Sequence, residues 1–347
     1  MSRTSHPTSH RTSPLRRLGV AFAVAGLVAS LAACSSSSDA SEAATPAGGA
    51  AALTPLVAGG PWSGSAGKEP VLTGAFGYAV ATGIAEPILA DHGFTYDKFV
   101  GFNNGPPVVK ALQTGDIQLG FIGDTPATQA KGSGIDVPAL VVAKPSSDIW
   151  FLTKTGGVKT IEELAGKKIG LQFGSNFDKY GRAVLARHGV ADSVEYINLL
   201  FADALPALQR GDIDAVPVPA TTAGIWRAIN DFPVLSKASV DDPDLLATSV
   251  VLTSRATLDA NSELAAAVWA VTEAGSAKIL EDTDAYAQWL SDATGSPVDI
   301  INDAELWAYG TQAIDPDGLA TIGSTLDFLV EQGTVPEAFD INSWVVQ

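Results

Sequence analysis

Cysteine and histidine, two side chains that often serve catalysis or metal binding, are scarce in this chain of 347 residues. The single cysteine, Cys34, excludes an intramolecular disulfide bond and a cysteine-rich metal site. Only two histidines lie beyond residue 33, and both His92 and His188 directly precede a glycine, as is typical of a helix C-terminus. Since the sequence also has no Gly-x-Ser-x-Gly motif and no phosphate-binding P-loop, it predicts no catalytic site, no metal and no cofactor.

Basic residues are also scarce compared with acidic residues. The chain has 21 lysines and arginines against 38 aspartates and glutamates. Four of the arginines fall within the first 33 residues, so the remainder carries 17 basic residues and a net charge of −21. This excess of negative charge disfavours binding to nucleic acid, and it repels anionic solutes at long range.

Long hydrophobic runs are absent after the N-terminus. Four arginines and no acidic residue precede the apolar run 18–33, which is too short for a transmembrane helix and predicts a signal peptide over residues 1–33. The following Leu-Ala-Ala-Cys at 31–34 resembles a bacterial lipobox, so we expect lipidation of Cys34; the alternative is an ordinary cleavage site beside a chance cysteine. Arg16-Arg17 also permits twin-arginine export.

The rest of the chain predicts a flexible tether over 34–67, rich in Ser, Ala, Gly and Pro, and then two α/β series. In the first series, β-like runs from VLTGAF (71–76) to VPALVVAK (137–144) alternate with helical segments. A second series of the same kind runs from Thr160 to FPVLSK (232–237). Such alternation is typical of βαβ units, so we expect two similar lobes, each with a mostly parallel sheet.

A helical tail follows the β-like run TSVVLTS (248–254). Its caps and its apolar period near 3.6 predict helices that pack on the first lobe. The connections near 145–158 and 245–256 would then be two crossovers that form a hinge. We therefore assign lobe 1 to residues 68–150 and 255–347, and lobe 2 to residues 151–254.

Three segments, in this order, resemble one family of extracytoplasmic proteins. They are PPVVKALQTGDIQLGFIGDTPATQAKGSG (106–134), TIEELAGKKIGLQFGSN (160–176) and ADALPALQRGDIDAVPVP (202–219). Each is similar to an element of the periplasmic substrate-binding proteins of ABC transporters, in the group for sulfonates, taurine, nitrate and thiamine precursors. The resemblance covers about residues 70–255.

This resemblance implies an α/β, bilobed periplasmic-binding-protein type II fold, with two lobes joined by two crossover hinge strands. It also implies a function: an extracytoplasmic, lipid-anchored monomer that captures a small organic solute and delivers it to an ABC permease driven by its ATPase. A ligand-sensing module for a signalling partner is a second hypothesis. A third is an enzyme, because the family also resembles a fungal pyrimidine-forming synthase that uses a cysteine-rich segment.

The candidate binding loops follow the strands, because ligands in open α/β sheets lie beyond the carboxyl ends of strands. Loops 75–78, 102–104 and 123–125 are the candidates in the first lobe, with 173–177 and 217–222 in the second. The predicted solute contacts are Gly77, Tyr78, Asn103, Asn104, Gly123, Asp124, Thr125, Gly174, Ser175, Asn176, Phe177, Pro219 and Thr221. The alternative for several of them is a capped helix start without a ligand.

Two features of these loops bear on the solute. The family often has Trp-Asp/Glu-Pro where this chain has Pro219, Ala220 and Thr221, which indicates a change of specificity. No lysine or arginine lies in the loop tips, so an acidic solute would be attracted mainly by helix N-termini. The sequence therefore leaves anionic, neutral, zwitterionic and cationic solutes open.

Overall fold

The computed structural model describes residues 52–62, 64–65 and 67–346. The predicted signal peptide and Cys34 lie outside this part of the chain. Within it the chain forms ten strands: β1 Thr54–Pro61, β2 Phe94–Phe102, β3 Leu119–Gly123, β4 Ala139–Val142, β5 Ile149–Thr153, β6 Lys168–Leu171, β7 Glu195–Asn198, β8 Ala215–Pro219, β9 Val234–Lys237 and β10 Ser249–Leu252.

Thirteen α-helices accompany these strands in the described residues. Eight of them lie before β10: α1 Gly74–Ala81, α2 Ala85–Asp91, α3 Gly105–Thr114, α4 Asp124–Gly132, α5 Asn176–Arg187, α6 Phe201–Arg210, α7 Ala220–Ile229 and α8 Ala238–Asp241. The other five form the tail: α9 Arg255–Ala260, α10 Leu264–Glu281, α11 Thr283–Thr294, α12 Val298–Ala304 and α13 Pro316–Glu331. No helix in the described part of the chain is long and apolar enough to span a membrane.

The strands form two five-stranded sheets with the same arrangement. The order is β2-β1-β3-β10-β4 in the first sheet and β7-β6-β8-β5-β9 in the second. In each sheet the first three strands are parallel, whereas β10 and β5 run antiparallel to both of their neighbours. Helices connect the parallel strands, because parallel neighbours require a crossover. The predicted bilobed α/β fold is confirmed.

The chain crosses between the sheets twice, and the two crossings pair with each other. Ser147 and Ala247 form an antiparallel bridge in which each backbone N–H donates to the other's carbonyl oxygen, at 3.1 and 3.2 Å. The buried Asp148 fixes the first crossing: its carboxylate accepts hydrogen bonds from the Trp150 indole N–H at 2.6 Å and from the Ser239 hydroxyl at 2.9 Å. These paired crossings form the hinge between the lobes.

Several elements lie outside their predicted ranges. Strand β1 falls within the predicted tether 34–67, yet it pairs with β2 and β3 and buries Leu56 and Ala58. The run 71–76, predicted as the first strand, instead leads into α1. This run forms no strand, because β1 already occupies the position between β2 and β3 in the first sheet.

The lobe boundaries also shift. Strand β5, which lies in the predicted connection 145–158, is completely buried in the second sheet. Strand β10, which we assigned to lobe 2, is hydrogen-bonded between β3 and β4 of the first sheet. Both differences have one cause, since each crossing segment continues directly into an antiparallel strand of the sheet that it enters.

The tail packs mainly on the first lobe. Helix α10 lies against α1, α2 and β4, and α13 lies against α4. A Cβ atom on Gly275 of α10 would lie 2.0 Å from the carbonyl oxygen of Ala75, so only glycine allows α10 and α1 to approach this closely. Helix α12 departs from the expectation because it packs on α7 of the second lobe.

The two histidines lie where the sequence predicts. His92 ends α2 and His188 ends α5. The Nδ1 atom of His92 lies 3.2 Å from a Glu263 carboxylate oxygen, and that of His188 lies 2.6 Å from one of Glu162. The His188 hydrogen bond lowers the pKa of Glu162 to about 2. Both histidines therefore have surface partners and lie away from the cavity described next.

Candidate functional site

A cavity of about 470 Å³ lies between the two lobes. Its wall includes residues at or just after the carboxyl ends of parallel strands from both sheets: Pro61 at the end of β1, Asn103 after β2, Gly123 at the end of β3, Gln172 after β6 and Pro219 at the end of β8. The volume is in the range of pockets that enclose small molecules. The hinge residues Ser147 and Asp148 also line it, so the cavity is bounded by both lobes and by their connection.

Eight of the thirteen predicted contacts line this cavity. They are Asn103, Asn104, Gly123, Ser175, Asn176, Phe177, Pro219 and Thr221. Four of them stand at the N-terminal caps of α3, α4, α5 and α7, namely Asn104, Gly123, Ser175 and Pro219. Since a helix N-terminus carries a partial positive charge, this arrangement directs four helix dipoles at one space.

Gly77 and Tyr78 lie elsewhere, in the interior of α1. A Cβ atom on Gly77 would lie 1.9 Å from the carbonyl oxygen of Leu72, so this glycine permits a tight entry into the helix. The Tyr78 ring is buried and packs edge-on against Tyr286 at 5.1 Å between centroids, with Trp289 at 5.2 Å. The sequence predicts both as contacts because 71–76 has the pattern of a strand, whereas α1 places them in the core.

Asp124, Thr125 and Gly174 are also absent from the cavity wall. Asp124 and Thr125 form the buried first turn of α4. Gly174 has a φ of +74° and donates its backbone N–H to a carboxylate oxygen of Asp178 at 3.0 Å. It thus shapes the turn before α5, in a conformation that disfavours other residues.

Asp124 forms a buried polar cluster that joins both lobes. One carboxylate oxygen accepts hydrogen bonds from the Asn176 amide at 3.0 Å and from the hinge N–H of Thr248 at 3.1 Å. The other lies 3.1 Å from the Lys179 ammonium and accepts a bond from the Thr325 hydroxyl of α13. Because Lys179 and Asn176 belong to α5 of the second lobe, the cluster fixes the lobes in a closed arrangement.

Two further hydrogen bonds cross between the lobes. The Asn176 side-chain oxygen accepts the backbone N–H of Thr125 at 3.0 Å. Gln172 donates its side-chain amide to the Asn103 carbonyl at 3.1 Å, while its own side-chain oxygen is buried and has no hydrogen-bond partner among the residues that the structure describes. The Asn176 amide is therefore used between the lobes, although its residue lines the cavity.

Charged groups are few in the wall. Lys144 is the only lysine or arginine that lines the cavity in the described part of the chain, and its ammonium lies 3.0 Å from Asp317. The hydrogen bond to Asp317 raises the pKa of Lys144. Among the described residues the wall carries two carboxylates, Asp148 and Glu305. Burial raises the pKa of Glu305 to about 7.

The aromatic part of the wall comes largely from residues that the sequence does not identify as solute contacts. Trp62 follows β1, Trp269 lies on α10, Tyr286 on α11, and Tyr309 in the segment after α12. A helical period shows which residues of the tail are apolar but not which neighbour they face, so it does not predict that Trp269 lines a cavity. Glu305 had no sequence signal at all, since one glutamate in a helical tail resembles any surface glutamate.

Comparisons with known proteins agree with this architecture. The model of a family described as NMT1/THI5 like matches residues 100–285. A protein of Escherichia coli (strain K12) described as binding aliphatic sulfonates is 32% identical over 120 residues, which are 34% of this chain and 38% of that protein. The taurine-binding periplasmic protein of the same organism is 31% identical over 125 residues, 35% of this chain and 39% of that protein. The alignments thus span about two-fifths of the curated relatives.

Solved structures share the fold at low sequence identity. The alkanesulfonate-binding protein SsuA from Xanthomonas axonopodis pv. citri, bound to MOPS, has a TM-score of 0.71 at 19% identity, over 86% of this chain and 99% of that protein. The desulfurization enzyme DszB has a TM-score of 0.61 at 16% identity, over 84% of this chain and 96% of the enzyme. The fold therefore occurs both in a binding protein and in an enzyme.

Proposed function

Because this chain belongs to the NMT1/THI5-like family, we propose that it is the solute-binding protein of an ABC importer, which captures a small organic solute between its two lobes. The observation that carries the proposal is the cavity of about 470 Å³ whose wall includes both lobes and the paired hinge crossings. A molecule bound there contacts both lobes at once. Its binding energy therefore favours the closed arrangement over an open one.

The wall suits a small molecule with an apolar body and a few polar groups. Aromatic rings from both lobes, such as Phe76 and Phe177, can cover the body, and Asn103, Asn104 and Thr221 offer hydrogen bonds. An acidic group of the solute would lie at the starts of α3 and α7, where the N-cap residues Asn104 and Pro219 make no side-chain hydrogen bond to the helix. The names of the two relatives support organic sulfonates as the first class to test.

The partners follow from this function. We propose that the closed protein docks on a permease and releases its solute as the ATPase drives transport. We further propose an extracytoplasmic location, a signal peptide over 1–33, and a lipid on Cys34 that holds a monomer at the membrane through a flexible segment before β1. Labelling of cells with a radioactive fatty acid would test the anchor, because Cys34→Ser should abolish incorporation.

An enzymatic function is the weaker alternative. Among the described residues no group of three or more His, Cys, Asp or Glu side chains could hold a metal ion. The carboxylate of Asp148 in the cavity wall is occupied by hydrogen bonds that fix the hinge. Binding without turnover is therefore the function that this wall supports best, whether the bound state is read by a permease or by a signalling partner.

Native mass spectrometry of the unlipidated Cys34→Ser protein is the test. We expect a co-purified small molecule, or a thermal stabilisation that saturates with one class among sulfonates, nitrate, carboxylates, amines and pyrimidines. A solute at 100 times its Kd stabilises the protein by about 2.7 kcal/mol. Small-angle scattering should show compaction with the same solute, and unchanged solute after prolonged incubation excludes turnover. Absence of stabilisation by every class would contradict the proposal.

A further inference from the structure

The two carboxylates of the cavity wall differ in their partners. Asp148 has four hydrogen-bond donors: the backbone N–H groups of Ile149 and Ser239, the Trp150 indole and the Ser239 hydroxyl. The Glu305 carboxylate accepts no hydrogen bond and pairs with no cation within the described residues. The basic residue that the described part of the chain contributes to the wall, Lys144, is bound to Asp317 instead.

The surroundings of Glu305 do not compensate its charge. Helix α11 presents Tyr286 and the segment after α12 presents Tyr309, and burial raises the pKa of both phenols, so they stay neutral. The residues that α1, α7 and α10 contribute to the cavity wall carry no charge. A carboxylate in such a place is costly when nothing binds to it, because burial without a partner disfavours the charged form.

The backbone two residues after Glu305 is strained. Trp307 has a φ of +50°, the only positive φ outside glycine in the described part of the chain. Its indole packs edge-on against the Tyr286 ring, with 6.1 Å between centroids. The strained turn returns the chain to the cavity, where Ala308, Tyr309 and Gly310 continue the wall. Strain of this kind persists where the surrounding structure requires it, often at binding sites.

We propose that Glu305 binds a protonated amine of the solute, and that the cavity therefore takes an amine-bearing solute in preference to one with only an acidic group. The proposal rests on the proposed solute-binding function and names the chemical class of the solute. The ammonium would donate hydrogen bonds to the carboxylate, which is a charge-assisted pair. The aromatic rings beside it favour a cation as well. The net charge of −21 beyond residue 33 attracts a cationic group at long range, whereas it repels an anion.

The test uses pairs of solutes in which a methyl group or a hydroxyl replaces the ammonium. We would measure Kd by calorimetry at pH 8 for taurine against propane-1-sulfonate, β-alanine against butanoate, and putrescine against 1,4-butanediol. The proteins are the unlipidated Cys34→Ser form and its Glu305→Gln and Glu331→Gln derivatives. Glu331 is exposed at the end of α13 and does not line the cavity, so its variant is the matched control.

We expect the amine-bearing member of at least one pair to bind ten times more tightly or better, both in the parent protein and in Glu331→Gln. In Glu305→Gln the two members should bind equally. The pH adds a second readout: with a carboxyl pKa of about 7, lowering the pH from 8 to 6 should weaken amine binding about tenfold in the parent and leave Glu305→Gln unchanged.

Two results would overturn the inference and leave solute binding intact. One is equal affinity for both members of every pair that binds, and the other is an amine preference that survives in Glu305→Gln. If no member of any pair binds to the parent protein, the inference fails. Scattering and native mass spectrometry with the broader solute classes then decide separately whether the solute-binding function fails as well.

Discussion

Among single residues, Glu305 imposes a cost on the stability of the free protein. An ordinary glutamate has a pKa of 4.5, whereas burial raises that of Glu305 to about 7. The folded protein therefore holds this proton over a pH range in which the unfolded chain has lost it. By linkage, stability decreases as the pH rises from 4.5 to 7, and the loss is complete above pH 7.

The variant Glu305→Gln should consequently be more stable than the parent protein at pH 8. Glutamine has nearly the same shape and no charge, so it removes the cost, which is about 2 kcal/mol at most for a partly exposed group. At pH 4.5 and below both side chains are neutral, and the two proteins should unfold at similar temperatures. Calorimetric melting of the solute-free proteins at both pH values measures the difference.

Glu331→Gln is again the control, because the exposed Glu331 has no such cost. A parent protein that melts at the same temperature as Glu305→Gln at pH 8 would show that Glu305 has a partner or full hydration in solution. A stabilising substitution that also removes the preference for an amine is the pattern expected of a functional residue.

Among the elements, α4 and α5 begin opposite each other, and their first turns hold the lobes together. The ion pair between Asp124 and Lys179 is almost fully buried, with side-chain exposures of 0% and 6%. Lys179 also donates to the Thr325 hydroxyl at 2.6 Å. Removing one partner of a buried pair leaves an uncompensated charge, which is strongly destabilising.

Lys179→Ala should therefore lower the free energy of unfolding by about 3 kcal/mol, as measured by denaturant titration. The control Lys278→Ala removes an exposed lysine whose ion pair is with Glu281 on its own helix. It should cost less than about 0.5 kcal/mol. The double variant Asp124→Asn with Lys179→Met should recover part of the loss, and equal losses in Lys179→Ala and Lys278→Ala would contradict the buried pair.

Elements with strong local chemistry could be predicted from the sequence. The end of a strand and the start of a helix are predicted by Gly123, Asp124 and Pro126. The structure has β3 and α4 at this place. Strand β1 could not be recognised, since TPLVAGGP lies among small residues and becomes a strand only between β2 and β3. The role of Glu305 depends on how the tail packs, which no local pattern encodes.

The candidate site was likewise predictable only in part: the sequence predicts positions better than side-chain directions. Residues at strand ends, such as Asn104 and Thr221, line the cavity because the topology alone brings them there. For Asp124 and Asn176 the sequence predicts the place but not the side-chain direction. Their polar groups are used between the lobes rather than toward a solute.

On the scale of the whole molecule, closure depends on close contact between the lobes at Gly123. Its φ of −76° is open to any residue, yet a Cβ atom there would lie 2.3 Å from the Asn176 amide nitrogen across the interface. Glycine is thus required by the neighbouring lobe and not by its own backbone. A single added methyl group acts as a wedge between the lobes.

Gly123→Ala should hold the lobes apart. We expect weaker solute binding and a larger radius of gyration with saturating solute, measured by small-angle scattering. The double variant Gly123→Ala with Asn176→Ala should close again, because the clashing amide is gone. Gly323→Ala is the control, since the nearest atom to its Cβ would be 3.9 Å away. A normal radius in Gly123→Ala would contradict the closed contact.

The order in which the chain supplies strands to its two sheets has a consequence for folding. The first sheet needs β10, which is synthesised only after all strands of the second sheet, and α10 and α13 follow later still. Contacts between segments so distant in sequence form slowly. The second sheet is contiguous from β5 to β9, so it can assemble first. The first lobe therefore stays incomplete until β10 has joined its sheet, and the cavity wall is complete only once α10 and α11 have docked.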